Sequence, residues 1–401
     1  MSDPWLAFSL DADEAPVAPR PADAPPLDYG GYLGLDALLG AGEPVSSVPD
    51  ERAFIATHQL IEVAFRLMTH DLGVIAQTLQ ALAGDEDLER TVEALPDERG
   101  PSALWRPAMT AAARLRHTAR ALLPAAMRLL GRGEDDDVLF STLEFARFRD
   151  ALAPSSGFQT AQLRLIQRAL GKAPLLDLPV FPSGSFAAHY AGCPVGHVAL
   201  GDPAILQSGH ARAFPEPGTG GARTAQLDGA AHALLARLAP LADDLPAPPA
   251  VRRLHSEDVE RATARFRQTL GREADAETAT GAFHHALRAT VDAENARRDA
   301  LAASRRGAQA LQARHRRSCL AFVLDRVAAT DTALHAPETD SFLTVHRKTV
   351  RRHVADDSGT GGGGMPYLVT SQRFLMPLFP ALVAYADLGA AVGPEEETER
   401  W

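Results

Sequence analysis

The sequence predicts an all-α protein, a helical bundle. Three observations predict it. Ala and Leu dominate a hydrophobic fraction of 46%, with few long β-branched runs; this composition favours helix over sheet. Apolar residues recur at three- and four-residue spacing along much of the chain, the period of one helix face. No stretch shows the two-residue alternation of a half-buried strand.

The elements follow in order. Residues 1–26 ("DADEAPVAPRPADAPP" among them) offer little apolar surface to offset the entropy of ordering, so a disordered tail is expected. A single domain is expected over 27–390, with a Gly- and Pro-rich, loop-like insertion at about 175–225, and a C-terminal tail over 391–401. Order begins in "LDYGGYLGLDALLG". A long helix then runs from Asp50, read as its N-cap, to a stop at Gly84. A second is expected from Leu104 to Gly131, kinked or divided at Pro124. Residues 136–152 and 158–171 read as a helix pair joined by "APSSG". Helical patterns resume over 225–243 and 256–270, and over 274–327 with interruptions. The basic run from Ser304 to Arg317 has arginines at helical spacing and is expected to form a solvated face. The last strong helix spans Pro337 to Ala355, is stopped by "DDSGTGGGGMPYL", and is followed by a helical segment over about 368–388.

Several function classes fall away. A net charge of −11 is a poor match for a nucleic-acid backbone. Two cysteines make no disulfide framework, and no CxxC exists for zinc. The N-terminus is acidic and lacks the basic start and apolar core of a signal peptide. No apolar run reaches membrane-spanning length. A soluble cytoplasmic chain with neither nucleic-acid nor membrane partners is expected. Neither HExxH nor the Glu-x-x-His of di-iron bundles nor GxSxG occurs. The Gly-rich run has no Lys for a phosphate loop and follows a helix, so by itself it reads as a helix stop with a connector. The metal option left open is ligation by a single helix-borne histidine, which suits a haem iron.

Three residues stand out by position. His58 lies one turn after Phe54 and one turn before Glu62, so an aromatic ring and an imidazole share a face. The same spacing suits a core histidine bonded to a backbone carbonyl. His346 sits between Phe342 and Val350 on an apolar stripe, with the same two readings. Arg149 follows Phe148 and lies one turn after Phe145. It suits a carboxylate clamp, or a surface ion pair with Asp150 or Glu144.

Four blocks, in order, resemble the tryptophan 2,3-dioxygenase family. They are "YGGYLGLDALL", "FIATHQLIEVAFRLMTHDL", "FARFRDALAPSSGFQTAQLRLIQRALG" and "VHRKTVRRHVADDSGTGGGGMPYL". In the last, His346 precedes Thr360 by fourteen residues, as the family's histidine precedes the Thr of GTGG. The middle third carries none of these blocks. The resemblance implies a haem-dependent dioxygenase that opens the indole 2,3 bond of L-tryptophan, or a close analogue, with O2 to give N-formylkynurenine. It implies haem b with His346 as the axial iron ligand, and Ser156 and Gly157 beside the haem. It implies that His58 accepts a hydrogen bond from the indole N–H, that Phe54 and Phe145 wall the pocket, that Arg149 pairs with the substrate carboxylate and that Thr360 closes on the head group. Tyr29, Tyr32 and Leu33 are implied to reach into a neighbouring subunit's pocket, in a homotetramer with an exchanged N-terminal segment. The chain also departs from the family. ELWFK is here Glu62-Val63-Ala64-Phe65-Arg66, and Phe342-Leu343-Thr344-Val345 precedes His346 without a Trp-Arg pair. A modified indole substrate, a haem monooxygenase of an indole or aromatic amino acid, and a non-catalytic haem-binding protein are the alternatives.

Overall fold

Helix α3 (Asp50–Ala83) organises the molecule. Its apolar positions Ile61, Phe65, Met68, Leu72, Ile75 and Leu79 are all buried, a stripe at helical spacing that faces the core. The computed structural model describes residues 28–84, 105–130, 227–247, 255–270 and 302–335, with single positions at 92 and 253 and within 144–170, 277–295 and 341–345. Those residues are helical or lie in turns and connections, and no strand occurs among them. The all-α expectation therefore holds. The tails, the insertion at 175–225 and the segment after 345 lie outside the described residues.

Two short helices precede α3: α1 (Tyr29–Leu33) and α2 (Leu35–Gly40). The Asp28 carboxylate accepts the Gly31 N–H at 2.6 Å and caps α1. Asp50 is the first residue of α3 rather than its N-cap, since Pro49 occupies the cap position with no side-chain bond. Gly84 follows the last turn as expected. The carbonyls there receive help from elsewhere: the Arg237 guanidinium donates to Leu82 and Ala83, a cation at the negative end of a helix.

The next helix breaks where proline requires it. Helix α4 (Trp105–His117) passes into a π-helical turn over Thr118–Leu122 and then into α5 (Leu123–Arg128). Pro124 has no N–H to continue the ladder and crowds the carbonyl four residues back. The wider turn relieves both, with the Leu123 N–H bonding the carbonyl of Thr118, five residues back.

Helices α6 (Leu227–Arg237), α7 (Ser256–Leu270), α8 (Ala302–Arg314) and α9 (Cys319–His335) complete the described set. Helix α3 packs between α4 and α6; α9 covers α4, and α8 covers α6. Buried Asp71 of α3 is held by Arg114 of α4 through two nitrogens. Burial pushes the Asp71 carboxyl above its ordinary value, against the pull of Arg114.

The basic run does more than face solvent. Arg306 donates to the carbonyls of Ala242 (2.6 Å), Pro246 (3.0 Å) and Leu245 (3.3 Å), at the end of the 3-10 turn Ala239–Ala242. Arg314 pairs with Asp244. The expectation of a purely solvated face is corrected here, because carbonyls left open at a helix end attract cationic donors. Beside Arg306, Gly307 is buried against α6 so closely that a Cβ would stand 1.5 Å from the Leu235 carbonyl oxygen. No helix among the described residues is long and apolar enough to cross a membrane.

Candidate active site

The first third of α3 meets an aromatic cluster. Phe145 and Phe148, one helical turn apart, pack with Val48 and Leu130, and Phe54 of α3 lies against them. The rings are 5.4 Å apart for Phe145–Phe148, 5.6 Å for Phe54–Phe145 and 5.7 Å for Phe54–Phe148. Two of the three contacts are edge-to-face, an arrangement aromatic rings favour.

The loop before α3 is fastened on both sides of this cluster. The buried Glu51 carboxylate accepts hydrogen bonds from the Val45 N–H (2.7 Å), the Ser46 N–H (2.8 Å) and the Ser46 hydroxyl. Burial raises its pKa, but these bonds outweigh burial and leave it lowered. The loop thereby delivers Val48 to the aromatic rings. Farther back, Gly42 has φ +79°, and a Cβ there would stand 2.4 Å from Cγ2 of Ile55. Only glycine combines that backbone with so close an approach. Gln59 Nε2 donates to the neighbouring Ala41 carbonyl at 3.2 Å. The loop thus runs over α3 at Ile55 and Gln59, on either side of His58.

His58 lies against Phe54, with ring centroids 4.1 Å apart. Its Nδ1–H donates to the Phe54 carbonyl at 2.8 Å. A carbonyl only accepts, so the proton sits on Nδ1 and a neutral ring presents Nε2 as an acceptor. Among the described residues, nothing bonds Nε2. The structure shows the backbone-bonded histidine that the spacing suits, with one ring nitrogen satisfied by the Phe54 carbonyl. Burial pushes the pKa below the ordinary histidine value, opposed by the Phe54 bond. The folded chain thus resists protonation that the unfolded chain accepts. Stability is lost as pH falls below about 6.5, down to the folded pKa, and His58 contributes nothing above that window. If neutral His58 is the working form, the acid limb of a kcat/KM profile should fall below about pH 6.5. A limb at or above that value would remove His58 from the site.

The described residues also join the segments on either side. Gln162 Nε2 donates to the main-chain carbonyl of Glu62 (2.8 Å) and to its carboxylate (2.9 Å). Phe342 is buried edge-on against Phe65 of α3 at 5.2 Å. The Val345 N–H bonds the Ser341 carbonyl at 2.9 Å, one helical turn.

Of the residues picked from sequence, the structure brings together Phe54, His58 and Phe145. Arg149, Ser156, Gly157, His346 and Thr360 lie outside the described residues. Tyr29, Tyr32 and Leu33 lie on α1 and are exposed, Tyr29 at 75% and Tyr32 at 71%. Neither α1 nor α2 has a buried residue. Ala64 is buried in the main core, apart from the aromatic cluster. Sequence reasoning named Phe148 only as a neighbour of Arg149 and missed it as a member of the cluster, although its three-residue spacing from Phe145 was a signal. It also missed Val48, which no local pattern marks, and Gln162, although the latter lies in one of the four blocks that carry the resemblance. Among the described residues no cluster of His, Cys, Asp and Glu could hold a metal ion.

No protein-family model matches the chain. Curated relatives do. The tryptophan 2,3-dioxygenase of Bradyrhizobium diazoefficiens is 34% identical over 145 residues, 36% of this chain and 42% of that protein. That of Kineococcus radiotolerans is 33% identical over 159 residues, covering 39% and 45%. That of Saccharopolyspora erythraea is 33% identical over 165 residues, covering 40% and 48%. The chain spans less than half the length of these relatives. Over about two fifths of its own length, the chain is similar to tryptophan 2,3-dioxygenases, the family its four sequence blocks resemble.

Proposed function

We propose that the chain binds haem b and opens the indole 2,3 bond of L-tryptophan, or a close analogue, with O2 to give N-formylkynurenine. The observation that carries the reading is His58: a neutral imidazole with its proton on Nδ1, stacked on Phe54 in an aromatic cluster. The curated relatives' names support the same chemistry.

The described residues fit a haem. The cluster is apolar, its imidazole is uncharged, and Phe342 brings the start of the segment bearing His346 onto Phe65, two turns past His58. His346 would hold the iron, with Ser156 and Gly157 beside the ring. Activation of O2 is the chemistry a bound haem supplies. Orientation and exclusion of water are the protein's part. Phe54, Phe145 and Phe148 would keep water from the indole. His58 Nε2 would accept the indole N–H, and Arg149 would pair with the carboxylate through two parallel bonds. Thr360 would meet the head group.

The exposed α1–α2 segment has a place in this reading. Helices this short are not stable in water alone, and the segment's exposed tyrosines and leucines are apolar surface of the kind that a partner covers. It would be covered in a homotetramer, with Tyr29, Tyr32 and Leu33 entering a second copy's pocket.

Purified chain loaded with haem, under reducing aerobic conditions, should convert L-tryptophan to a product heavier by two oxygen atoms. A gain of one oxygen would establish hydroxylation instead. No turnover of any indole amino acid would sink the proposal.

A further inference from the structure

Gln162 is an expensive residue to bury. It is only 8% exposed, and among the described residues its Oε1 has no hydrogen-bond partner. An acceptor left in that state costs stability that an apolar side chain of equal size would not. The amide cannot turn over to help itself, because Oε1 would then face the Glu62 carbonyl and carboxylate, both acceptors. The orientation in the structure is therefore the only favourable one, with both Nε2 bonds going to Glu62.

The place matters as much as the bonds. Glu62 stands one turn after His58 on the same face of α3. Phe65, which receives Phe342, stands less than a turn farther. Gln162 belongs to the segment that follows Arg149, Ser156 and Gly157 in the chain. Its two bonds to Glu62 span 100 residues of sequence.

We propose that Gln162 is a positioning residue, which holds Glu62 and so fixes the register between α3, with His58, and the segment that follows the carboxylate clamp. The inference rests on the proposed function, and two variants test it. Gln162→Met removes the donors and the orphaned acceptor together. Its thermal midpoint should stay near that of the wild type and its haem spectrum should be unchanged, while KM for L-tryptophan rises about tenfold. Gln162→Glu makes the link depend on one proton. When protonated, its acid O–H donates to Glu62; as pH rises the proton leaves and two carboxylates face each other. Its affinity for L-tryptophan should therefore fall toward alkaline pH, opposite in sign to the acid-side loss expected from His58. An unchanged KM in Gln162→Met, or the same pH profile in Gln162→Glu and wild type, overturns the inference. A fall in thermal midpoint that accounts for the loss of activity in Gln162→Met also overturns it, because the role is then structural. A wild type that binds no indole amino acid overturns the reading of the site and the inference with it. A working wild type with unaffected variants overturns the inference alone.

Discussion

Gly307→Ala should lower the thermal unfolding midpoint by roughly 3–5 °C, the shift expected in a domain of this length of an overpacked core costing about 3 kcal/mol. The new methyl carbon would lie 1.5 Å from the Leu235 carbonyl oxygen. That atom is backbone in the last turn of α6, so no rotamer change moves it aside. Helices α6 and α8 must separate along their contact, and the separation has consequences on both sides. Leu234 and Leu235 of α6, and Leu238 just after it, are buried in the main core. Arg237, on the same helix, caps the end of α3. Differential scanning calorimetry of the variant checks this directly. A midpoint within a degree of wild type would mean that the helices do not approach as described. Gly229, with open space around its missing Cβ, is the control and should accept Ala freely.

His346→Ala should abolish stoichiometric haem binding, and with it all turnover. In the proposed site His346 is the protein's bond to the iron. Losing a residue that merely supports a metal ligand typically weakens binding about 10–100-fold, and losing the ligand itself should cost more. Titration of the variant with haem should show no Soret band of the wild-type form, while circular dichroism remains helical. A normal Soret spectrum would refute the ligand assignment. The buried start of that segment, at Ser341 and Phe342, makes the comparison clean, because the substitution leaves the Phe65–Phe342 contact in place.

Local grammar carried much of the fold. The apolar stripe and Gly84 delimited α3 within a residue, and Pro124 marked the break between α4 and α5. The pairing of Phe54 with His58 was legible for the same reason: residues four apart on a helix share a face. What was not legible depends on partners far along the chain. Periodicity says that a face is buried, not what it is buried against. Gly307 looks like a weak point in a basic helix until α6 lies across it. Arg306 looks solvated until the carbonyls of 242–246 arrive. Gln162 and Glu62 lie in two separate blocks of the resemblance, and nothing in either block says that they bond to each other until the chain brings them together. In the site, the sequence could place His58 on a helix face, yet the choice of tautomer needed the 2.8 Å contact to the Phe54 carbonyl.

The π-turn before Pro124 carries a consequence for insertions and deletions. A turn closed by a bond five residues back holds one residue more than an α-turn. The wider turn takes up that surplus residue, so α5 keeps the phase that buries Leu123, Ala126 and Met127. Wound instead at the α-helical rotation of about 100° per residue, the surplus would turn those side chains out of the core and bring Arg128 toward it. Deleting one residue within Thr118–Leu122 should therefore convert the π-turn to an α-turn and leave the buried face of α5 in place, at the cost of crowding Pro124 against the carbonyl four residues back. The same deletion in the regular turns of α4 has no wider turn to absorb it and would rotate α5 out of register.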